Sequence, residues 1–173
     1  MLIWRRLRFG YPFRRIPLTQ GQYAIVDPDD YVSLATYKWR ICKTKGKNVL
    51  YAERSIRLPS GKYSRILMHR QIFSVPEGFV IDHINRNGLD NRKANLRPAT
   101  VAQNAQNARK RKNRSGYKGV WFARDKGLWR AAIWHNNKRK HLGYFDNEID
   151  AALSYDSAAK KHHGEFASLN FPR

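Results

Sequence analysis

The chain has 173 residues, room for one domain of ordinary size or two small modules. It carries 34 Lys+Arg against 13 Asp+Glu, a formal net charge of +21, an excess that favours a polyanionic partner. A single cysteine, Cys42, excludes an internal disulfide framework and a Cys-rich zinc site, and suits a reducing compartment. No apolar run approaches the roughly 20 residues of a membrane span, and the charges at Arg5 and Arg6 come too early for a signal peptide.

Residues 1–16 hold five arginines, four aromatics and no acid, and read as a basic arm. Residues 17–67 read as a small antiparallel β region. Tyr23–Val26 precedes Asp27-Pro28-Asp29-Asp30, a turn signal, and Lys38–Ile41 follows. A break at Lys45–Asn48 leads to Tyr51–Ile56, then Pro59–Lys62, then Tyr63–Leu67. From Met68 asparagine becomes dense. Thr100-Val101-Ala102-Gln103 has the form of a capping box and predicts a helix that runs into Arg109-Lys110-Arg111-Lys112. Ser115-Gly116 breaks that basic run, so a linker is placed at 112–116.

The last module starts at Tyr117. Tyr117–Phe122, Trp129–His135 and Lys140–Phe145 read as three strands separated by turn-forming Asp125-Lys126-Gly127 and Asn136-Asn137-Lys138. Asn147 caps a helix, with Asp150 favouring its N-terminus and Gly164 placed to end it. Ala151, Ala152, Tyr155, Ala158 and Ala159 form one stripe at helical spacing, small enough to sit close on a sheet.

The chemistry gathers at Asp82-His83, Asn95 and Asn104. Asp82-His83 ends the apolar stretch Phe79–Ile81, residues 84–94 form a polar loop, and Asn104 falls early in the Thr100 helix. Hard cations such as Mg²⁺ accept one carboxylate and one amide oxygen when water and a phosphate complete the shell. A histidine beside such a metal is placed to deprotonate the attacking water. Asn95 is expected to bond across the loop and hold the His83 backbone. His69 reads more readily as a packed histidine at a strand end, Arg97 as a weak candidate for a phosphate contact, and Asn107 as a lesser alternative to Asn104.

Met68-His69-Arg70, Asp82-His83-Ile84-Asn85, Asp90-Asn91-Arg92, Asn95-Leu96-Arg97 and Asn104 together resemble the HNH endonucleases, particularly the phage and bacterial homing-type branch. The resemblance covers roughly 68–110, here assigned as a nuclease module over 68–111. It implies a ββα-metal fold, with Asp82 and Asn104 as ligands of one divalent ion, Mg²⁺ or Mn²⁺. It also implies His83 as general base and Asn95 as the structural centre residue. Asparagine at 104, where many members carry histidine, argues against a nitrogen-preferring metal.

Tyr117–Trp121, Trp129–Ile133, Leu142–Phe145, Ala151–Asp156 and Leu169–Pro172 resemble the Apetala-2/ethylene-response-factor type DNA-binding domain, over nearly all of 117–172. That family lays a three-stranded sheet, backed by one helix, in the DNA major groove, and such a ribbon fits the groove physically. Lys118, Trp121, Arg124, Arg130, Trp134, Arg139 and Lys140 are the candidate DNA-contacting residues. Arg109, Lys110, Arg111 and Lys112 would add sequence-blind phosphate contacts. At least one of Trp121, Trp129 and Trp134 is expected in the core.

The resulting expectation is an α+β protein: an N-terminal β region, the nuclease module, then a three-stranded sheet on one helix. It is expected to act as a site-specific DNA endonuclease on double-stranded DNA, cytoplasmic in a bacterial cell or phage-infected host. A monomer is favoured, with no membrane association and no small-molecule cofactor. The rival readings are a DNA-binding regulator with a vestigial HNH scaffold and an RNA-binding protein. The narrow major groove of A-form RNA disfavours the second.

Overall fold

A computed structural model of the chain describes Ile3 and residues 11–43, 49–108 and 114–172. Two compact units emerge, Met1–Thr100 and Val101–Arg173. The architecture is α+β, with four helices and several small antiparallel sheets among the described residues. None of those helices is long and apolar enough to cross a membrane.

In the first unit β1 (Arg14–Pro17) pairs antiparallel with β2 (Tyr23–Val26). Phe13 and Ile16 are buried, so the fold begins inside the segment read as a basic arm. Residues 1–2 and 4–10 of that arm lie outside the described residues. The predicted turn at Asp27–Asp30 is instead the start of a helix, α1 (Pro28–Ala35). Proline at the first helical position loses no hydrogen bond, and Asp29 and Asp30 meet the positive end of the helix dipole. Trp39, buried, donates from Nε1 to the Leu34 carbonyl at 2.8 Å and ties the chain back onto α1.

β3 (Arg40–Lys43), β4 (Leu50–Arg57) and β5 (Tyr63–Leu67) form the antiparallel sheet expected from alternation. The predicted break at Lys45–Asn48 falls outside the described residues. A short helix, α2 (Met68–Ile72), follows directly. β6 (Val80–His83) then pairs with β7 (Leu96–Ala99), with Asp82 opposite Arg97 and His83 opposite Leu96. The core of this unit gathers Ile16, Leu18, Ala24, Val26, Leu34, Trp39, Ala52, Met68 and Leu89. Leu89 comes from the polar loop between β6 and β7, and burying such a side chain contributes about 1.5–3 kcal/mol toward holding that loop down.

In the second unit α3 (Val101–Asn107) occupies the position predicted from the capping box. β8 (Val120–Ala123), β9 (Leu128–His135) and β10 (Lys138–Phe145) form an antiparallel sheet in the order β10-β9-β8. α4 (Glu148–His163) packs on it through Ala151, Ala152, Tyr155 and Ala159, against Val120, Ala131 and Ile133. The Asn147 side chain accepts from the Asp150 amide at 2.8 Å, and Gly164 ends the helix at φ +53°. The final residues are held by buried Asp156, which accepts from the amides of Asn170 and Phe171, both at 2.8 Å. Ser115, placed by sequence in a linker, is buried, and its hydroxyl donates to the Val120 carbonyl at 2.8 Å.

Gly119 sits at φ +75°, with the Tyr155 ring and the Ala132 carbonyl where a Cβ would stand. Gly127, at φ +65°, faces open space. Gly119→Ala is therefore expected to cost about 3 kcal/mol or more, from overpacking added to backbone strain, and Gly127→Ala only about 1 kcal/mol. Urea unfolding followed by tryptophan fluorescence checks this; equal costs would remove the close packing of Gly119 on Tyr155.

Candidate active site

Residues 84–95 carry many polar groups, and the loop bonds most of them to itself. Asn85 Oδ1 accepts from the Asn87 amide at 2.9 Å, and Asn87 Oδ1 accepts from the Leu89 amide at 3.1 Å, two successive Asx turns. Asn95, buried, closes the loop from its other end. Its Oδ1 accepts from the Asn85 amide at 3.0 Å, and its Nδ2 donates to Asn85 Oδ1 at 3.0 Å and to the Asp90 carbonyl at 2.7 Å. Asn95 thus bridges the loop as expected, but its side chain grips Asn85 and Asp90 rather than His83 itself. Asp90, also buried, takes a two-pronged ion pair from Arg92 at 2.7 and 2.6 Å and a bond from Asn85 Nδ2 at 2.8 Å.

The loop is also docked on the N-terminal strands. The Ile25 amide donates to the Leu89 carbonyl at 2.8 Å, and the Asn91 amide donates to the Ile25 carbonyl at 2.7 Å. Asp27 Oδ2 accepts from the Lys93 amide at 2.8 Å. β1 and β2 therefore form their own two-stranded sheet and touch the loop through a single parallel bridge, Ile25 to Asp90, rather than widening the β6–β7 sheet.

Asp82 and His83 close β6 and are both buried. Asp82 Oδ2 receives the Arg97 guanidinium from across the hairpin, with Nε and one terminal nitrogen both at 2.9 Å. Arg97 is therefore a partner of the Asp82 carboxylate. The His83 ring has Asn91 Oδ1 3.3 Å from its Nε2. It meets the His69 ring edge-on at a centroid distance of 5.0 Å and the Tyr51 ring at 5.7 Å. His69 is buried, as the packed reading expects, but it lies in the first turn of α2 rather than at a strand end. Burial pushes the His83 pKa below its ordinary value, against opposing pulls from Asn91, Asp82 and Asp90. Burial, with His83 and Arg70 nearby, takes His69 down to about 3. Burial and the Asp82 charge raise the Tyr51 phenol.

Asn104 lies half-buried on α3, and Asn107 is buried at its end. On the sheet of the second unit, Trp121, Arg130 and Tyr144 are opposite one another across the three strands, and Arg139 is opposite Trp134. Arg139 lies over the Trp121 ring at 4.1 Å and Arg130 at 5.3 Å, while Trp134 is 63% exposed. Trp129, half-buried, is the one of the three tryptophans that packs against the core. Arg124 is exposed in the turn that follows β8.

Two candidates depart from expectation. Lys140 pairs with buried Ile133 and so belongs to the helix-covered side of the sheet, not the face of Trp134. Lys118 directs its ammonium to the carbonyls of Gln106 and Ala108, at 2.6 and 2.9 Å, and secures the end of α3. Arg109–Lys112 lie outside the described residues.

Residues 74–106 match the model of a family described as HNH endonuclease. The chain is 28% identical over 151 residues to an uncharacterized HNH endonuclease of Acanthamoeba polyphaga mimivirus, covering 87% of this chain and 76% of that one. It is 32% identical over 94 residues to Protein 3.8 of Escherichia phage T7, covering 54% of this chain and 77% of the phage protein. The chain belongs to the HNH endonuclease family. It is a nuclease. A separate similarity, 40% identity over 75 residues, links it to APETALA2-like protein 2 of Oryza sativa, covering 43% of this chain and 17% of the plant protein.

HNH nucleases generally depend on a divalent metal. Among the described residues no cluster of three or more His, Cys, Asp or Glu could hold one. Asp82 places a buried carboxylate beside His83, held by Arg97. A carboxylate oxygen is a donor that hard, water-retaining divalent cations accept. The residues that sequence reasoning left without roles are Tyr51, Asn85, Asp90 and Asn91. The last three stand in motifs already noted, Asp82–Asn85 and Asp90–Arg92. Tyr51 offers no local signal.

A histidine whose folded pKa lies below its unfolded value of about 6.5 supports stability fully above that value. The support is lost as pH falls toward the folded pKa, because the unfolded chain takes up protons that the native ring refuses. The nuclease is therefore expected to lose unfolding free energy between about pH 6.5 and about pH 3. His69→Leu is expected to flatten that loss. Parallel urea titrations across this range decide it; identical slopes would mean that His69 is charged inside the fold.

Proposed function

We propose that this nuclease is a homing-type, metal-dependent DNA endonuclease that hydrolyses a phosphodiester of double-stranded DNA. The observation that carries the reading is the buried Asp82-His83 pair at the end of β6, beside a loop stapled by Asn95. β6, β7 and α3 follow in the order of a ββα-metal module, and this order supports the assignment. His83 accepts the proton of the attacking water, and its lowered pKa keeps the ring in the neutral, proton-accepting form near pH 7. Arg97 fixes the Asp82 carboxylate as an oxygen ligand. The family pattern adds Asn104 as the second ligand, and that assignment rests on the sequence match alone. When bound, the cation stabilises negative charge on the phosphate and the leaving oxygen.

Target reading falls to the outer face of the β8–β9–β10 sheet, through Trp121, Arg130, Trp134 and Arg139. The Apetala-2-type resemblance of residues 117–172 and the plant similarity support this. Arg124 and the Arg109–Lys112 run add phosphate contacts. Lys118 structures α3, and Lys140 lies on the wrong side of the sheet to join Trp134. The domain scheme that follows keeps residues 68–111 as the nuclease module and 117–173 as the reader, acting as a monomer.

His83→Ala is expected to lower cleavage of phage or host DNA by about 10²–10⁴-fold while leaving DNA affinity unchanged, and chelation is expected to stop wild-type cleavage. Tight binding without breaks, alike for both proteins with metal present, would favour the regulator reading. The double variant Trp134→Ala/Arg139→Ala is expected to weaken duplex binding at least tenfold, and Lys140→Ala to change it little. Fluorescence anisotropy at several salt concentrations reads both effects, and wild-type affinity should fall steeply with salt. A larger effect from Lys140→Ala would place the DNA on the other side of the sheet.

A further inference from the structure

We propose that Asn91 is a positioning residue that fixes which nitrogen of His83 carries the proton, and so selects Nδ1 as the proton-accepting atom. Asn91 is fully buried, and its position is set by main-chain bonding, since its amide donates to the Ile25 carbonyl at 2.7 Å. Its side chain has three polar neighbours. Nδ2 lies 3.4 Å from the Leu89 carbonyl and 3.5 Å from the Met68 sulfur, and Oδ1 lies 3.3 Å from His83 Nε2.

These neighbours decide the orientation of the amide. A carbonyl oxygen and a thioether sulfur are acceptors only, so the Asn91 NH₂ faces them. Rotating the amide by half a turn would set its oxygen against the Leu89 carbonyl oxygen in a buried site, where such repulsion is unscreened. With the NH₂ committed, the side chain offers His83 only an acceptor. The neutral imidazole answers by placing its one proton on Nε2, which leaves its basic lone pair on Nδ1. Leu89 is itself anchored in the core and accepts from the Ile25 amide at 2.8 Å. A chain of held groups therefore runs from β2 through Leu89 and Asn91 to the histidine ring.

Nothing in this chain requires Asn91 to touch DNA or metal. Its effect passes through His83, so the catalytic part of the proposal rests on the reading of His83 as general base. Partners that hold a ring tautomer typically change activity about 10–100-fold when removed.

The test uses the full-length protein labelled with ¹⁵N in its histidines, at a pH where the His83 ring is neutral. His83→Ala identifies the resonances. Wild type is expected to show protonated Nε2 and unprotonated Nδ1. Asn91→Leu is expected to lose that pattern and to lower kcat about 10–100-fold with KM unchanged. A proton on Nδ1 in wild type, or the wild-type pattern in Asn91→Leu, overturns the assignment. If Asn91→Leu does not fold, the wild-type spectrum still decides the tautomer, and a proton on Nδ1 there overturns the assignment. A His83→Ala protein that cuts at the wild-type rate overturns the general-base reading and the catalytic consequence with it. An unchanged tautomer in Asn91→Leu overturns the positioning role alone.

Discussion

A polar loop beside a buried catalytic pair must satisfy its own hydrogen bonds or forfeit the burial. An unpaired amide or carbonyl there costs about 1–3 kcal/mol, and several such losses would open the loop. Asn95 answers this constraint with both ends of its amide, donating to Asp90 and Asn85 and accepting from the Asn85 main chain. Asp90 adds the Arg92 ion pair, and the Asn85 and Asn87 side chains form the two turns. The Asp82-His83 pair keeps its place because the chain that leaves it is tied down within two residues.

The N-terminal strands acquire a role through the same constraint. Ile25 bonds to the loop on both sides of Asp90, Asp27 caps the Lys93 amide, and Leu89 enters the core that β1, β2 and α1 build. β4 and α2 contribute Tyr51 and His69, whose rings surround His83. The hydrophobic core of the first unit and the electrostatics of its histidine are therefore one construction. Loosening the core would admit water to the ring and relieve the depression of its pKa.

Much of this is legible in the sequence wherever local signals decide. Alternation locates β2, β4, β5 and the three strands of the second unit, and Asn147 with the alanine stripe defines α4. The ordered spacing of Asp82, His83, Asn95 and Asn104 is enough to point to the family. Asp27-Pro28-Asp29-Asp30 misleads because a proline after aspartate opens a turn and a helix equally well. β7 escapes because it is four residues long and contains Pro98, tolerated there on a two-stranded hairpin. Lys140 is put on the wrong face by a bulge. Counting by twos from Tyr144 carries it outward, but the register shifts between His141 and Gly143 and turns it toward the helix side. Tyr51 and His69 reach His83 from distant parts of the chain, and no local pattern announces such contacts.

The most direct measurement of the central claim is the fate of water oxygen during scission. Pooled supercoiled plasmids carrying fragments that together span the phage and host DNA would be incubated with wild-type protein and Mg²⁺ or Mn²⁺ in ¹⁸O-water, and the newly formed phosphate ends analysed by mass spectrometry. Hydrolysis by a His83-activated water predicts breaks whose terminal phosphates each carry one ¹⁸O. Protein that binds these plasmids yet leaves the whole pool intact with either cation, or breaks without ¹⁸O at the phosphate, would contradict the account.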